Sequence, residues 1–172
     1  ASIFNNLGTK VTILVRGNRI LKGFDKELSE LLVENMKKKG IEILFETRPS
    51  SIVSLSEGFR VQTDSDKMIH CGGIVFAIGR RPLIENLNLD KIGVSFNEKK
   101  VNVDQSNQTN IPNIFAIGDV TNRINLTPVA IEEGRIFADR VFAGIDRKID
   151  YSLIPSAVFS QPEIASIGLT EE

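Results

Sequence analysis

Three basic side chains lie close together near the start of the chain. Arg16, Arg19 and Lys22 follow the run Thr-Ile-Leu-Val, and no acid enters the loop until Asp25. A guanidinium fork matches the oxygens of a phosphate, and an ammonium adds a point charge. In a dinucleotide-binding βαβ unit, the end of the second strand reads the adenosine ribose. An acid there accepts from the hydroxyls of NAD, whereas a basic group takes up the extra phosphate of NADP. The loop suits NADP over NAD; a solvated basic loop is the bland alternative.

Two further stretches combine residue types that can meet a ligand. Ile-Phe-Ala-Ile-Gly-Asp (114–119) reads as a buried strand ending in Gly118-Asp119, followed by Thr-Pro-Val-Ala-Ile-Glu-Glu-Gly-Arg (127–135), which opens a helix. A carboxylate at such a strand end can accept from a polyol hydroxyl, and the free N–H groups of a helix start favour negative charge nearby. An ordinary strand-to-helix junction is the competing explanation. Ala-Ile-Gly-Arg-Arg-Pro (77–82) ends another apolar run; Gly79 would let a ligand approach the backbone, and Arg80 or Arg81 could face a phosphate or carboxamide. A turn braced by Pro82 explains the same residues without a ligand.

Other chemistry is narrowly bounded. Cys71 is the only cysteine and His70 the only histidine, so the 172 residues hold neither an intramolecular disulfide nor a Cys-rich metal site. Adjacent on one strand, the two point to opposite faces, and Cys71 reads as a small buried residue. The net charge of −1 gives no field that would gather nucleic acid or an anionic membrane. No apolar run approaches the ~20 residues of a membrane span. Hydrophobic residues at 41% and charged residues at 25% fit a globular chain.

The elements that must position these residues are legible from pattern. Ile3, Phe4 and Leu7 before Gly8 read as two helical turns, and Val11–Val15 as a buried strand. Asp25 is placed to cap a helix whose apolar stripe is Leu28, Leu31, Leu32 and Met36, with Lys37, Lys38 and Lys39 at its end and Gly40 beyond. The strand Ile41–Phe45 then completes a βαβ unit with a parallel sheet. Three short strands near 51–55, 59–63 and 67–70 suggest an inserted antiparallel meander. Gly73–Ile78 reads as a fully apolar strand, and residues 83–113 as loops and short strands. A helix is expected from Thr127, as N-cap with Pro128 behind it, to about Phe142, and a last strand over 157–159.

Taken together, VRGNRILKGFD (15–25), IVFAIGRRP (74–82), NIFAIGDV (113–120), LTPVAIEEGR (126–135) and IPSAVFSQPEIASIGLTEE (154–172) resemble the pyridine nucleotide-disulfide oxidoreductase family, in the family's order and over nearly the whole chain. The LTPVAI-x-x-GR stretch is most similar to the glutathione reductase branch and its trypanothione and thioredoxin reductase relatives. The resemblance implies an α/β fold: a Rossmann-like NADP-binding domain with an antiparallel meander over 1–82, the C-terminal part of an FAD-binding domain over 83–150, and the start of an interface domain over 151–172. It implies that Arg16 binds the NADP 2′-phosphate. Lys22 stands where the family's second phosphate arginine falls, keeping the charge and losing the fork. Gly79 and Arg80 would line the nicotinamide-nucleotide site, Asp119 would bond the FAD ribityl chain, and Thr127 would face the flavin's pyrimidine edge. Asn125 and Ala157 match positions whose backbone meets the nicotinamide amide, although both side chains differ from the family's common choices.

The implied activity is NADPH-dependent reduction of oxidised glutathione by a flavoprotein homodimer, with the cytoplasm as default compartment and an organelle left open. The family's redox cysteine pair, Gly-rich NADP turn and His–Glu acid/base pair match nothing in these residues. The expectation is therefore an internal piece of a longer enzyme, inactive by itself, with no catalytic residue of its own.

Overall fold

The structure is a computed structural model in which residues 1–171 are described. Its contacts group into two compact units, residues 1–76 together with the stretch from Pro155 onward, and Ala77–Ile154. These cuts differ from the expected boundaries after 82 and 150, and the stretch from 151 is not set apart.

In the first unit, a short helix α1 (Ser2–Asn6) leads into β1 (Thr12–Leu14), the helix α2 (Lys26–Lys38) and β2 (Glu42–Leu44). Strands β1 and β2 pair in parallel, with Ile13 opposite Ile43. This is the βαβ unit read from the sequence. The pairing extends past the strands: Val15 N–H donates to the Leu44 carbonyl at 2.8 Å, and Glu46 N–H to the Gly17 carbonyl at 3.0 Å. The backbone on both sides of Arg16 is thereby fixed.

Helix α2 packs Leu32 and Met36 on Ile41 and Ile43, with Val11, Ile13 and Val15 around them. Burying each such side chain stabilises by roughly 1.5–3 kcal/mol. The stripe is turned by one position from the expected one. Ser29 is buried and its hydroxyl donates to the Ile20 carbonyl at 2.5 Å, whereas Leu31 is 53% exposed. The sheet selects the face 29, 32, 36, because those positions share one side of the 3.6-residue period with Val33. Asp25 holds the N-cap position, but its side chain caps no helical N–H; its Oδ1 accepts from Glu171 N–H at 2.7 Å.

The meander is present as β3 (Pro49–Ser54), β4 (Phe59–Thr63) and β5 (Met68–Cys71), antiparallel in the order β3-β4-β5. Lys67 Nζ reaches Glu42 Oε1 at 2.6 Å, tying the approach to β5 to β2. That bond first, and one from Thr12 second, hold the Glu42 carboxyl below its usual range. His70 is exposed. Cys71 is half-buried rather than buried, because β5 is an edge strand of the meander.

Two expected strands are absent as ladders. Residues 73–78 form no strand: none among the described residues pairs with them, and Ile78 is 88% exposed. An apolar run becomes a strand only when neighbours take its N–H and C=O groups. Residues 114–117 instead pair locally: Thr109 N–H donates to the Ile114 carbonyl and Ala116 N–H to the Asn107 carbonyl, each at 2.9 Å. Around this pairing the second unit carries the hairpin β6 (Phe96–Asn97) and β7 (Lys100–Val101), then the helix α3 (Thr127–Ala138), which passes into a single π turn over Asp139–Ala143 and stops at Gly144. Arg147 bridges Asp139 at 2.7 Å and Glu132 at 2.5 Å, folding the following segment back on α3. In the first unit the chain ends on the hairpin β8 (Ser156–Val158) and β9 (Ile164–Ser166).

Candidate functional site

Arg16 leaves the C-terminal end of the parallel pair, on a backbone held on both flanks, and its side chain is exposed. Ligands of open α/β sheets lie at this end of the strands. Lys22 is exposed too, and its stem folds back over the same loop: its Nζ lies 3.4 Å from where a Cβ on Gly17 would be. A side chain at 17 would crowd the ammonium, so Gly17 lets both cations share one short turn. Neither Arg16 nor Lys22 has an ion-pair partner among the described residues, whereas Arg19 is engaged. Two uncompensated cations with water access fit the charge of a phosphate monoester. In β8 of the same unit, Ala157 faces Ala165 across the hairpin. Its side chain is a bare methyl, so any polar contact it makes is through backbone.

The remaining candidates belong to the second unit. Gly118 adopts φ +69°, in the left-handed region, and a Cβ there would come within 3.0 Å of the Ala130 Cβ on α3. Only glycine fits both the conformation and the closeness of helix to turn. The 3-10 turn Gly118–Thr121 that follows carries Asp119. It is closed by the buried Thr121 hydroxyl on the Gly118 carbonyl at 2.9 Å, and by Asn122 N–H on the Asp119 carbonyl at 3.0 Å. Asn125 is exposed and its side chain bonds Asn122 Oδ1 at 3.1 Å, joining the same turn.

Asp119 and Arg80, read from separate motifs, meet: Oδ2 and Nη2 are 2.8 Å apart, with the arginine side chain 75% and the aspartate 38% exposed. In water such a pair contributes at most ~1 kcal/mol, so a ligand can displace it at little cost. Gly79, beside Arg80, has φ +129° and open space over its α-carbon.

Thr127 is the first residue of α3 rather than its N-cap. Ala130 N–H donates to the Leu126 carbonyl at 3.1 Å, so the ladder begins one residue earlier and Leu126 takes the cap position. Leucine has no side-chain acceptor and Pro128 has no N–H, so no side chain caps the first turn. A twelve-residue helix whose first turn lacks a side-chain cap suits an electron-rich ring edge. A carboxylate on a fixed turn and an uncapped helix start are the donor and acceptor set a flavin's polyol and pyrimidine edge would use.

Three residues behind this turn escaped the sequence reading. Glu133, on the buried face of α3, bonds Gly118 N–H; Tyr151 bonds Glu133; Arg123 bonds Tyr151. One signal was available. Glu133 falls on the same helical face as Val129 and Ile136, an acid inside an apolar stripe. A trough of about 700 Å³ in the second unit, beside Glu85 and Lys99, takes in Arg81 but neither Gly79, Arg80, Asp119, Asn125 nor Thr127. It is an open surface depression, whereas the candidates carry the donor and acceptor chemistry.

The family described as pyridine nucleotide-disulphide oxidoreductase matches residues 1–134. The chain is similar to the trypanothione reductase of Trypanosoma congolense, 44% identical over all of this chain and 36% of that protein. It is similar to the glutathione reductase of Burkholderia cepacia, 41% identical over 99% of this chain and 38% of that protein. Among solved structures, the HOCl-induced flavoprotein disulfide reductase of Escherichia coli superposes with a TM-score of 0.92, at 27% identity, over 99% of this chain and 39% of that one. The chain thus spans between a third and two fifths of the length of the curated relatives it matches. With the motifs in order, the fold shared and identity above 40% along its whole length, the chain belongs to the pyridine nucleotide-disulphide oxidoreductase family, whose oxidoreductases of the disulfide reductase type work with a flavin and a pyridine nucleotide.

Proposed function

We propose that this chain is the part of an NADPH-dependent, FAD-containing glutathione-disulfide reductase that holds the adenosine phosphate of NADPH and the polyol of the flavin. The observation that carries the reading is the pair of exposed cations, Arg16 and Lys22, on one loop at the C-terminal end of the β1–β2 pair, with no acid before Asp25. Arg16 presents its fork to two phosphate oxygens and fixes the adenosine end of the nucleotide. Lys22 adds a mobile charge to the same group, with less directional grip than a second arginine would have. Gly79 and Arg80 line the nicotinamide-nucleotide site, and the Asp119 carboxylate accepts from the ribityl hydroxyls. Thr127 and the start of α3 stabilise negative charge on the pyrimidine edge. Asn125 and Ala157 contribute backbone to the nicotinamide amide. Bound flavin supplies the two-electron link between nicotinamide and disulfide. The whole enzyme is read as a cytoplasmic homodimer, on family resemblance.

A second reading has a specific observation behind it. The 44% identity with a trypanothione reductase favours that disulfide as substrate of the whole protein. Steady-state turnover of the full-length protein with each disulfide decides between them.

The nucleotide assignment is tested in the full-length protein with Arg16→Ala and Lys22→Ala. Each charge-assisted phosphate bond contributes roughly 1.5–3 kcal/mol. At this exposed site the lower end applies, so the KM for NADPH should rise about tenfold for Arg16→Ala and less for Lys22→Ala. The kcat should hold. An unchanged KM in the double variant removes the assignment.

A further inference from the structure

Glu133 is 1% exposed, on the face of α3 that buries Val129 and Ile136. A buried carboxyl is costly unless both oxygens are bonded. Here both are. Oε2 accepts from Gly118 N–H at 2.5 Å and Oε1 from the Tyr151 hydroxyl at 2.6 Å. The Tyr151 oxygen in turn accepts from Arg123 Nη1 at 3.0 Å, and the Arg123 guanidinium lies 5.3 Å from the tyrosine ring centroid. Arg123 is anchored by Asn107 Oδ1 at 2.5 Å and by the Asp104 carbonyl. The chain of bonds ends on the N–H of the residue immediately before Asp119. An apolar side chain at 133 would fill the same space, as Ile136 does one turn further on. It would leave Gly118 N–H without a partner and the turn without its second tie to α3.

We propose that Glu133 is a positioning residue for the flavin polyol site: by accepting from Gly118 N–H it fixes the turn that aims Asp119, while Tyr151 and Arg123 hold Glu133 in place. The inference rests on the reading of Asp119 as the ribityl partner. Alanine at 133 severs the tie. Glutamine restores it, since its amide oxygen accepts from Gly118 N–H and the Tyr151 hydroxyl can rotate to accept from the amide nitrogen. Phenylalanine at 151 loosens Glu133 without touching the turn directly.

The test uses the full-length protein freed of FAD and measures the Kd for FAD by flavin fluorescence and, separately, the Kd for 2′,5′-ADP, which probes the Arg16 loop alone. Losing one buried hydrogen bond that orders a binding group costs a factor of about ten. The FAD Kd of Glu133→Ala should therefore rise about tenfold and that of Tyr151→Phe about threefold, with Glu133→Gln near the parent value. The 2′,5′-ADP Kd should stay within about twofold throughout. Amide exchange at Gly118 in the same protein should quicken in Glu133→Ala and recover in Glu133→Gln. If Asp119→Ala leaves the FAD Kd unchanged, the ribityl reading fails and the inference with it. If Asp119→Ala weakens FAD while Glu133→Ala does not, the ribityl reading stands and Glu133 has no positioning role. Equal weakening of FAD and 2′,5′-ADP in Glu133→Ala would make the residue a general stabiliser and overturn the proposal. Should Glu133→Ala fail to fold, Tyr151→Phe carries the same decision, and an unchanged FAD Kd there sinks it.

Discussion

At the scale of single residues, Tyr151 reports on the polar chain behind Asp119. Burial first, and the bond to Glu133 second, push its phenol above the ordinary value of 10.0, with Arg123 opposing. It is the only tyrosine, and the chain has no tryptophan, so near-ultraviolet phenolate absorbance reads this group alone. Its midpoint should lie above that of free phenol in the parent chain, fall in Glu133→Gln, and rise in Arg123→Met. A parent midpoint at the free value would contradict the geometry. Because the folded value is raised, the group's contribution to stability is complete below the unfolded value near 10. It is lost as pH rises through the folded value. Stability measured against pH should therefore decline on the alkaline side, and less steeply in Tyr151→Phe.

Residues at this scale were unevenly legible in the sequence. Arg16 and Lys22 needed only their place after an apolar run, because an exposed cation on a strand-end loop depends on little else. Glu133 looked like one more helical acid, since its meaning depends on Gly118, fifteen residues earlier in the chain.

At the scale of elements, the meander stands on one tight turn. Gly58 joins β3 to β4 at φ +80°, and a Cβ there would lie 2.4 Å from the Cys71 carbonyl oxygen. Gly58→Ala meets both left-handed strain and a backbone clash, and neither can relax without opening the β4–β5 ladder. The expected loss is more than ~2 kcal/mol by denaturant titration. A loss within the error of the parent would refute this reading of the turn. The meander, the βαβ unit and α2 were read correctly because hydrophobic period and turn chemistry act over a few residues. The rotation of α2's buried face, from Leu31 to Ser29, was out of reach. It is set by the sheet the helix lands on, and by the Ile20 carbonyl that takes the Ser29 hydroxyl. The unpaired stretch 73–78 shows the same limit: its composition is that of a buried strand, but pairing requires a partner.

At the scale of the whole molecule, the chain has a single thiol. Dithiol–disulfide exchange within one chain needs two cysteines, and Cys71 has no second cysteine among the 172 residues. The purified chain should therefore show no NADPH-dependent consumption of oxidised glutathione, and should retain little flavin on gel filtration. Turnover above the reagent blank, or a preparation with a flavin spectrum, would show the assignment of roles to be wrong.

Local order alone determined the family, the basic loop after β1 and the strand–helix grammar around it, because charge, apolar period and turn residues are properties of neighbours in the chain. Tertiary structure alone decided that Arg80 meets Asp119, that Glu133 turns its carboxyl onto Gly118, and that Ile78 is left in water. Each of these depends on groups distant in sequence arriving within bonding distance, or failing to, and packing rather than pattern sets that distance.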